Sequence, residues 1–210
     1  DGTMVLDFEG TQPWGYHSMN CTPAGMDGGM FVTLTQHMNF EGLVNDGAWM
    51  ATELKLPKGT WTNPDNEMVA TATSWALLLP AYGVFQRLLS RGFLARGYVE
   101  EVFVGQVNSP MIEMGGESQY GTPFGMAHFE CAAAGSGALA IKDGLDTAYV
   151  GWNPESDMGN VEIWEQNMPM VYIGRSILPN SGGAGKYRGG CAFISTWLIN
   201  KTNHLRLVTS

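Results

Sequence analysis

Charged side chains are scarce in this chain. They make up 15% of its 210 residues, against about 25% in ordinary soluble domains. Basic residues are scarcer still: 11 Lys and Arg stand against 20 Asp and Glu, a formal net charge of −9. With no basic stripe, the chain lacks the main source of affinity for a nucleic-acid backbone. Few charges combined with 44% hydrophobic residues also exclude disorder, whose signature is the reverse. Cysteine is nearly absent. Cys21, Cys131 and Cys191 are odd in number, far apart and without zinc or redox spacing, which points to buried thiols in a reducing cytoplasm. The least charged stretch, Met68 to Gln86, contains Thr71, Thr73, Ser74 and Pro80 and is too polar for a membrane span. His17, His37, His128 and His204 include no pair at metal-ligand spacing, and neither the HExxH nor the GxSxG signature occurs.

The chain is rich instead in glycine (28), methionine (13) and tryptophan (7). So apolar a chain is expected to cover much of its surface with partner subunits. No cationic segment leads into an apolar run at the start; Asp1-Gly2-Thr3 enters a strand directly. The expectation is a piece of a longer polypeptide.

The period of the apolar residues predicts the elements. Met4 to Phe8 reads as a strand. Met26, Met30, Leu34 and Met38 recur at helical spacing, although Gly28 and Gly29 weaken that helix. Met50 to Leu56 reads as a strand, followed by turns at Pro57-Lys58-Gly59-Thr60 and Asn63-Pro64-Asp65. The strongest helix runs from Thr73 to Arg91, with Trp75, Leu78, Leu79, Tyr82, Phe85, Leu88 and Leu89 on one stripe. Pro80 is expected to kink it. Beyond Val99, short β-like runs follow at Glu101–Val107, Ala138–Ile141 and Val161–Trp164, with a turn at Asp143-Gly144. Cys191 to Ile199 and His204 to Val208 read as a closing hairpin. The fold class is therefore α+β. A mixed segment, 1–98, carries the long helix, and a β-rich, glycine-rich segment, 99–210, follows.

Three constellations bear on chemistry. Gly135-Ser136-Gly137 imitates a dinucleotide fingerprint, but Asp143-Gly144 interrupts before a helix can open. His128 and Glu130 would share a face of a strand and hold an ion, or His128 is a hydrogen-bonded structural residue. Glu113, Glu117 and Glu130 lie in a weakly charged region where a raised pKa would suit acid or base work; solvated loop acids are the alternative. In a strand, Glu162 and Trp164 share one face and Glu165 takes the other.

The run Pro179-Asn180-Ser181-Gly182-Gly183-Ala184-Gly185-Lys186-Tyr187-Arg188-Gly189-Gly190 is the most distinctive. Backbone N–H groups in a glycine turn form a concave anion site, which Lys186 and Arg188 would reinforce. If extended, the two cations project from one face and Tyr187 from the other. The alternative is a structural turn. It is not a P-loop, since Tyr187 stands where Ser or Thr is needed. The candidate anion or substrate residues are Gly182, Gly183, Gly185, Lys186 and Arg188. No catalytic residue and no metal ligand can be assigned.

The same run resembles the C-terminal signature of the hydantoinase B family. Asp7-Phe8-Glu9-Gly10-Thr11, Asn45-Asp46-Gly47, Leu56-Pro57-Lys58-Gly59-Thr60, Asn63-Pro64, Phe129-Glu130, Gly135-Ser136-Gly137, Asp143-Gly144 and Asn160-Val161-Glu162 follow in the family's order. The family holds B-type subunits of hydantoinases and oxoprolinases and large subunits of ATP-dependent ketone carboxylases. The chain is most similar in texture to the branch that carboxylates acetone with bicarbonate to acetoacetate. Two departures, Ala132-Ala133-Ala134-Gly135 and Tyr149-Val150-Gly151-Trp152-Asn153, suggest a less polar pocket than a hydantoin ring needs. The resemblance implies manganese, and ATP with Mg, bound mainly outside this segment. It implies a hydantoinase A-type nucleotide-binding partner and the rest of a B-type subunit, with cytoplasmic location and a small ketone and bicarbonate as substrates. This segment alone would be inactive. The other readings are hydrolysis of a cyclic amide and a non-catalytic β-rich scaffold.

Overall fold

Elements form here where a cap or a buried stripe supports them. The computed structural model describes residues 2–17, 20–38, 45–69, 75–103, 112–128, 134–148 and 158–209. The chain divides into two compact units, Asp1–Leu89 and Ser90–Ser210.

In the first unit, β1 (Met4–Asp7) pairs in parallel with β2 (Thr52–Lys55) in the register Met4↔Thr52 to Asp7↔Lys55. Met4 and Leu6 turn inward while Val5 and Asp7 face out, the period-two pattern of a half-buried strand. Helix α1 (Pro23–Met38) starts where Thr22 accepts the Gly25 N–H at 3.1 Å and Pro23 occupies the first turn, where its missing N–H costs nothing. Its buried stripe, Met26, Met30 and Leu34, joins Cys21 and Phe85 in one core, with Leu6, Leu54 and Trp61 against it. Gly28 and Gly29 are tolerated because this packing holds the helix. Helix α2 (Asp46–Trp49) is capped by Asn45 and tied to α1 by a 2.8 Å bond from the Trp49 indole to Asp27. Helix α3 (Trp75–Ala95) runs through Pro80 as one element. Tyr82 and Phe85 are buried. Leu88, read as part of the inward stripe, is exposed. Thr73, Ser74 and the side chains of Trp75, Leu78 and Leu79 lie outside the described residues.

In the second unit, β3 (Ile112–Glu117) lies between β4 (Pro123–His128) and β7 (Leu205–Thr209), antiparallel to both. Helix α4 (Val161–Asn167) leads into β5 (Met170–Ile177), which pairs antiparallel with β6 (Phe193–Ile199) across a bulge between Tyr172 and Gly174. A second core gathers Met114, Met168 and Met170 with Trp164, Tyr172 and Trp197 packed around them.

Three expectations are corrected here. Val161–Trp164 is helical, because the Asn160 side chain accepts the Glu162 N–H at 2.8 Å and caps a helical turn. Ala138–Ile141 forms no strand; it makes one bridge, Leu139 to Phe103, where 99–101 is a 3-10 turn. The predicted terminal hairpin is not a hairpin, since β6 pairs with β5 and β7 with β3. Residues 104–107, Glu130 and Cys131 lie outside the described residues.

Candidate functional site

The glycine run is the connection between β5 and β6, and its last backbone donors, Arg188 to Gly190, are engaged. Asp143 accepts the Arg188 N–H at 2.8 Å, and Asp146 accepts the Cys191 N–H at 2.6 Å. The Gly190 N–H donates to the Ser136 carbonyl at 2.9 Å, and the Gly144 N–H to the Arg188 carbonyl at 2.8 Å. Residues 135–147 and 182–191 are thus sewn together backbone to backbone. Glycine is required on both sides of that contact. A Cβ on Gly190 would stand 1.8 Å from the Leu145 carbonyl oxygen, and one on Gly135 1.9 Å from that of Gly190. No side chain fits at such distances. The Asp143 carboxylate thus takes the backbone N–H of one candidate anion residue, Arg188, and Asp146 takes that of Cys191 just beyond the run.

The signature's cations remain outside this knot. Lys186 and Arg188 are both exposed. Residues 185–187 bend, and the Lys186 ammonium sits 5.2 Å from the Tyr187 ring centroid. Lys186 and Tyr187 therefore lie on one side, not on the opposite sides of an extended chain. A cation over a ring face is attracted by the ring's quadrupole.

A second constellation surrounds His128, which is fully buried. Its Nε2 lies 2.7 Å from the Tyr172 hydroxyl, and the rings of Trp164, Tyr172 and Trp197 meet it edge to face at 4.8, 6.3 and 6.0 Å. Glu165 accepts the Tyr172 N–H at 2.7 Å, so this acid serves the sheet. Glu162 and Glu113 are exposed, and Glu117 is half-buried. His37 is buried with Nδ1 3.0 Å from the Thr33 carbonyl, while His17 and His204 are exposed. In the first unit, burial pushes the Tyr82 phenol well above its ordinary value, although Gln36 accepts its hydrogen.

The family's inner motif is a turn. Asn63 donates to the Leu56 carbonyl at 2.8 Å, and the Gly59 N–H donates to the Asn63 carbonyl at 2.9 Å. Gly59 has φ of +80°, a conformation open to glycine. Among the described residues no group of three or more His, Cys, Asp and Glu gathers as metal ligands would. The described residues therefore offer no cluster that would hold the implied manganese. No helix among them is long and apolar enough to cross a membrane.

An open groove of about 470 Å³ adjoins β1, lined by residues Val5 to Thr11 on one side and by Pro80, Val84 and Leu88 of α3 on the other. The sequence reading missed this groove, as it missed β5 and the two aspartates. Only the apolar residues at four-residue spacing on α3 signalled it.

Comparison with known proteins places the chain. A family profile described as Hydantoinase B/oxoprolinase matches residues 1–209. The acetone carboxylase alpha subunit of Xanthobacter autotrophicus is 48% identical over 95% of this chain and 26% of its own length. The acetophenone carboxylase delta subunit of Aromatoleum aromaticum is 20% identical over 98% of this chain and 30% of its own. A nucleotide-free structure of acetone carboxylase superposes with a TM-score of 0.91 at 45% identity, over 98% of this chain and 27% of that one. An ATP-dependent caprolactamase from Pseudomonas jessenii shares the fold, with a TM-score of 0.72 at 18% identity, over 92% of this chain and 33% of that one. The chain spans about a quarter of the length of its acetone carboxylase relatives.

Proposed function

The chain belongs to the hydantoinase B/oxoprolinase family, and from that premise we propose that it works as part of the alpha-type subunit of an ATP-dependent ketone carboxylase. The reaction is carboxylation of acetone by bicarbonate to acetoacetate. The observation that carries this reading is 48% identity to an acetone carboxylase alpha subunit across 95% of the chain. Identity to the acetophenone enzyme's subunit is 20%. A pocket for a small ketone gains mainly from apolar contact, about 0.8 kcal/mol per buried CH₂.

Within that enzyme this segment supplies walls and interfaces. Large apolar side chains stand open on its surface, with Tyr16 94%, Met68 90% and Met50 86% exposed, and partner subunits would cover them. The partners are an A-type nucleotide-binding subunit and the rest of the B-type subunit, which also bring ATP with Mg and manganese. The compartment is the cytoplasm. Lys186 and Arg188 are the anion contacts, acting through side chains while Gly182, Gly183 and Gly185 shape the loop that presents them. The segments 1–98 and 99–210 act as one piece of the larger subunit, without turnover of their own.

The test is ATP turnover by the assembled enzyme, measured with acetone plus bicarbonate and with hydantoin or 5-oxoproline. Acetone-dependent turnover supports the reading; hydrolysis of the cyclic amides alone replaces it. Lys186→Met with Arg188→Met should lower acetone-dependent activity roughly tenfold or more by removing two anion contacts. Unchanged kinetics would remove their role.

A further inference from the structure

A parallel pair of strands standing by itself is unusual. Parallel sheets are found buried and in larger sheets, and a two-stranded ribbon is marginal in water. Among the described residues, β1 has β2 as its one neighbour. The Met4 N–H donates to Ala51 at 2.8 Å and the Phe8 N–H to Lys55 at 3.0 Å. The amides of a strand alternate in direction, so those of Val5 and Asp7 face the opposite edge. Residues Val5 to Phe8 line the open groove. The far wall is the outer face of α3, where Pro80, Val84 and Leu88 recur one turn apart. Val84 is 57% and Val5 45% exposed. The two turns from Pro80 to Leu88 make a wall of about 12 Å, which matches the roughly 10 Å from Val5 to Phe8 in a strand. A free strand edge facing an apolar helix face is the geometry that receives an added strand.

We propose that the outer edge of β1 is the docking site of one further extended strand, supplied by the part of the full-length subunit outside these 210 residues. The inference rests on reading the chain as a portion of such a subunit, whose acetone carboxylase relatives are nearly four times as long. The occupant places alternate apolar side chains against Pro80, Val84 and Leu88. Glu9 and Asp7, the latter 4.0 Å from the Lys55 ammonium, are the charged residues in the lining, so it carries basic charge or none. A second copy of this chain fits worse. Edge-to-edge pairing would bring Asp7 and Glu9 of both copies together, on chains of net charge −9 each.

The test is amide hydrogen exchange on the complete subunit, resolved at residues 4–9 by electron-transfer fragmentation. Val5 and Asp7 should be protected as strongly as Leu6, roughly a hundredfold or more over an open strand edge. Val84→Glu, and separately Leu88→Glu, should cut protection at Val5 and Asp7 about tenfold and leave Leu6 unchanged, since the β2 ladder does not use that wall. Free exchange at Val5 and Asp7 beside a protected Leu6 overturns the proposal. Protection that vanishes on dilution overturns it too, by assigning the edge to a second copy. An enzyme that protects this edge but ignores acetone would sink the ketone reading alone.

Discussion

His128 Nε2 lies 2.7 Å from the Tyr172 hydroxyl, a bond that joins β4 to β5 through a ring no solvent reaches. A buried polar group that loses its partner costs about 1–3 kcal/mol. Tyr172→Phe keeps the ring against Trp164 and Trp197 but removes that partner. The variant should lose stability in this range, read from the urea midpoint at unchanged m-value.

The aspartate clamps distinguish charge from shape. Asp146→Asn retains an acceptor oxygen for the Cys191 N–H, whereas Asp146→Ala retains none. Asp143→Ala combined with Asp146→Ala should raise amide exchange across 187–191 roughly tenfold, and the Asn variants should change it little. Equal effects of Asn and Ala would show that the carboxylates do not hold this loop.

Glycines that look alike in sequence should respond in opposite ways. Gly190→Ala drives a Cβ into the Leu145 carbonyl and should cost at least about 2 kcal/mol. Gly28→Ala meets nothing within 4 Å on α1 and should gain about 0.5–1 kcal/mol from helix propensity. Thermal melts of the two variants check both signs.

Alkaline unfolding should report Tyr82. Burial raises its phenol pKa above the ordinary value of 10.0, so the folded state keeps a proton that the unfolded state releases. This contribution is fully present below the unfolded pKa. It is lost as pH rises from there through the folded pKa. Above pH ~10, Tyr82→Phe should flatten the fall of stability by about 1.4 kcal/mol per pH unit. The difference in slope, from denaturant titrations at successive pH values, is the measurement.

The first unit was legible because its signals are local. The methionine spacing of α1 and the alternation of β1 and β2 each reflect one buried face, read within a dozen residues. Thr22-Pro23 also marked the start of α1 and went unread. The second unit was less legible because its pairings are remote. Val161–Trp164 has the composition of a strand, and the side chain of Asn160 decides otherwise. Leu205–Thr209 finds its partner at Ile112–Gly116, far back in the chain, which no local pattern announces. His128 was legible as a hydrogen-bonded structural residue, but its partner, Tyr172, was not. The glycine run was conspicuous in composition, but the acceptor of its Arg188 N–H, Asp143, stands 45 positions away and no local pattern announces it.

That long-distance stitching governs how the two loops can be exchanged. The stitches are backbone bonds and two carboxylate-to-amide clamps, so 135–147 and 182–191 fit each other by main-chain path more than by side-chain shape. A graft of one loop from a cousin enzyme meets an unfamiliar backbone trace and jams. Moved as a matched pair, they bring their own mortise and tenon.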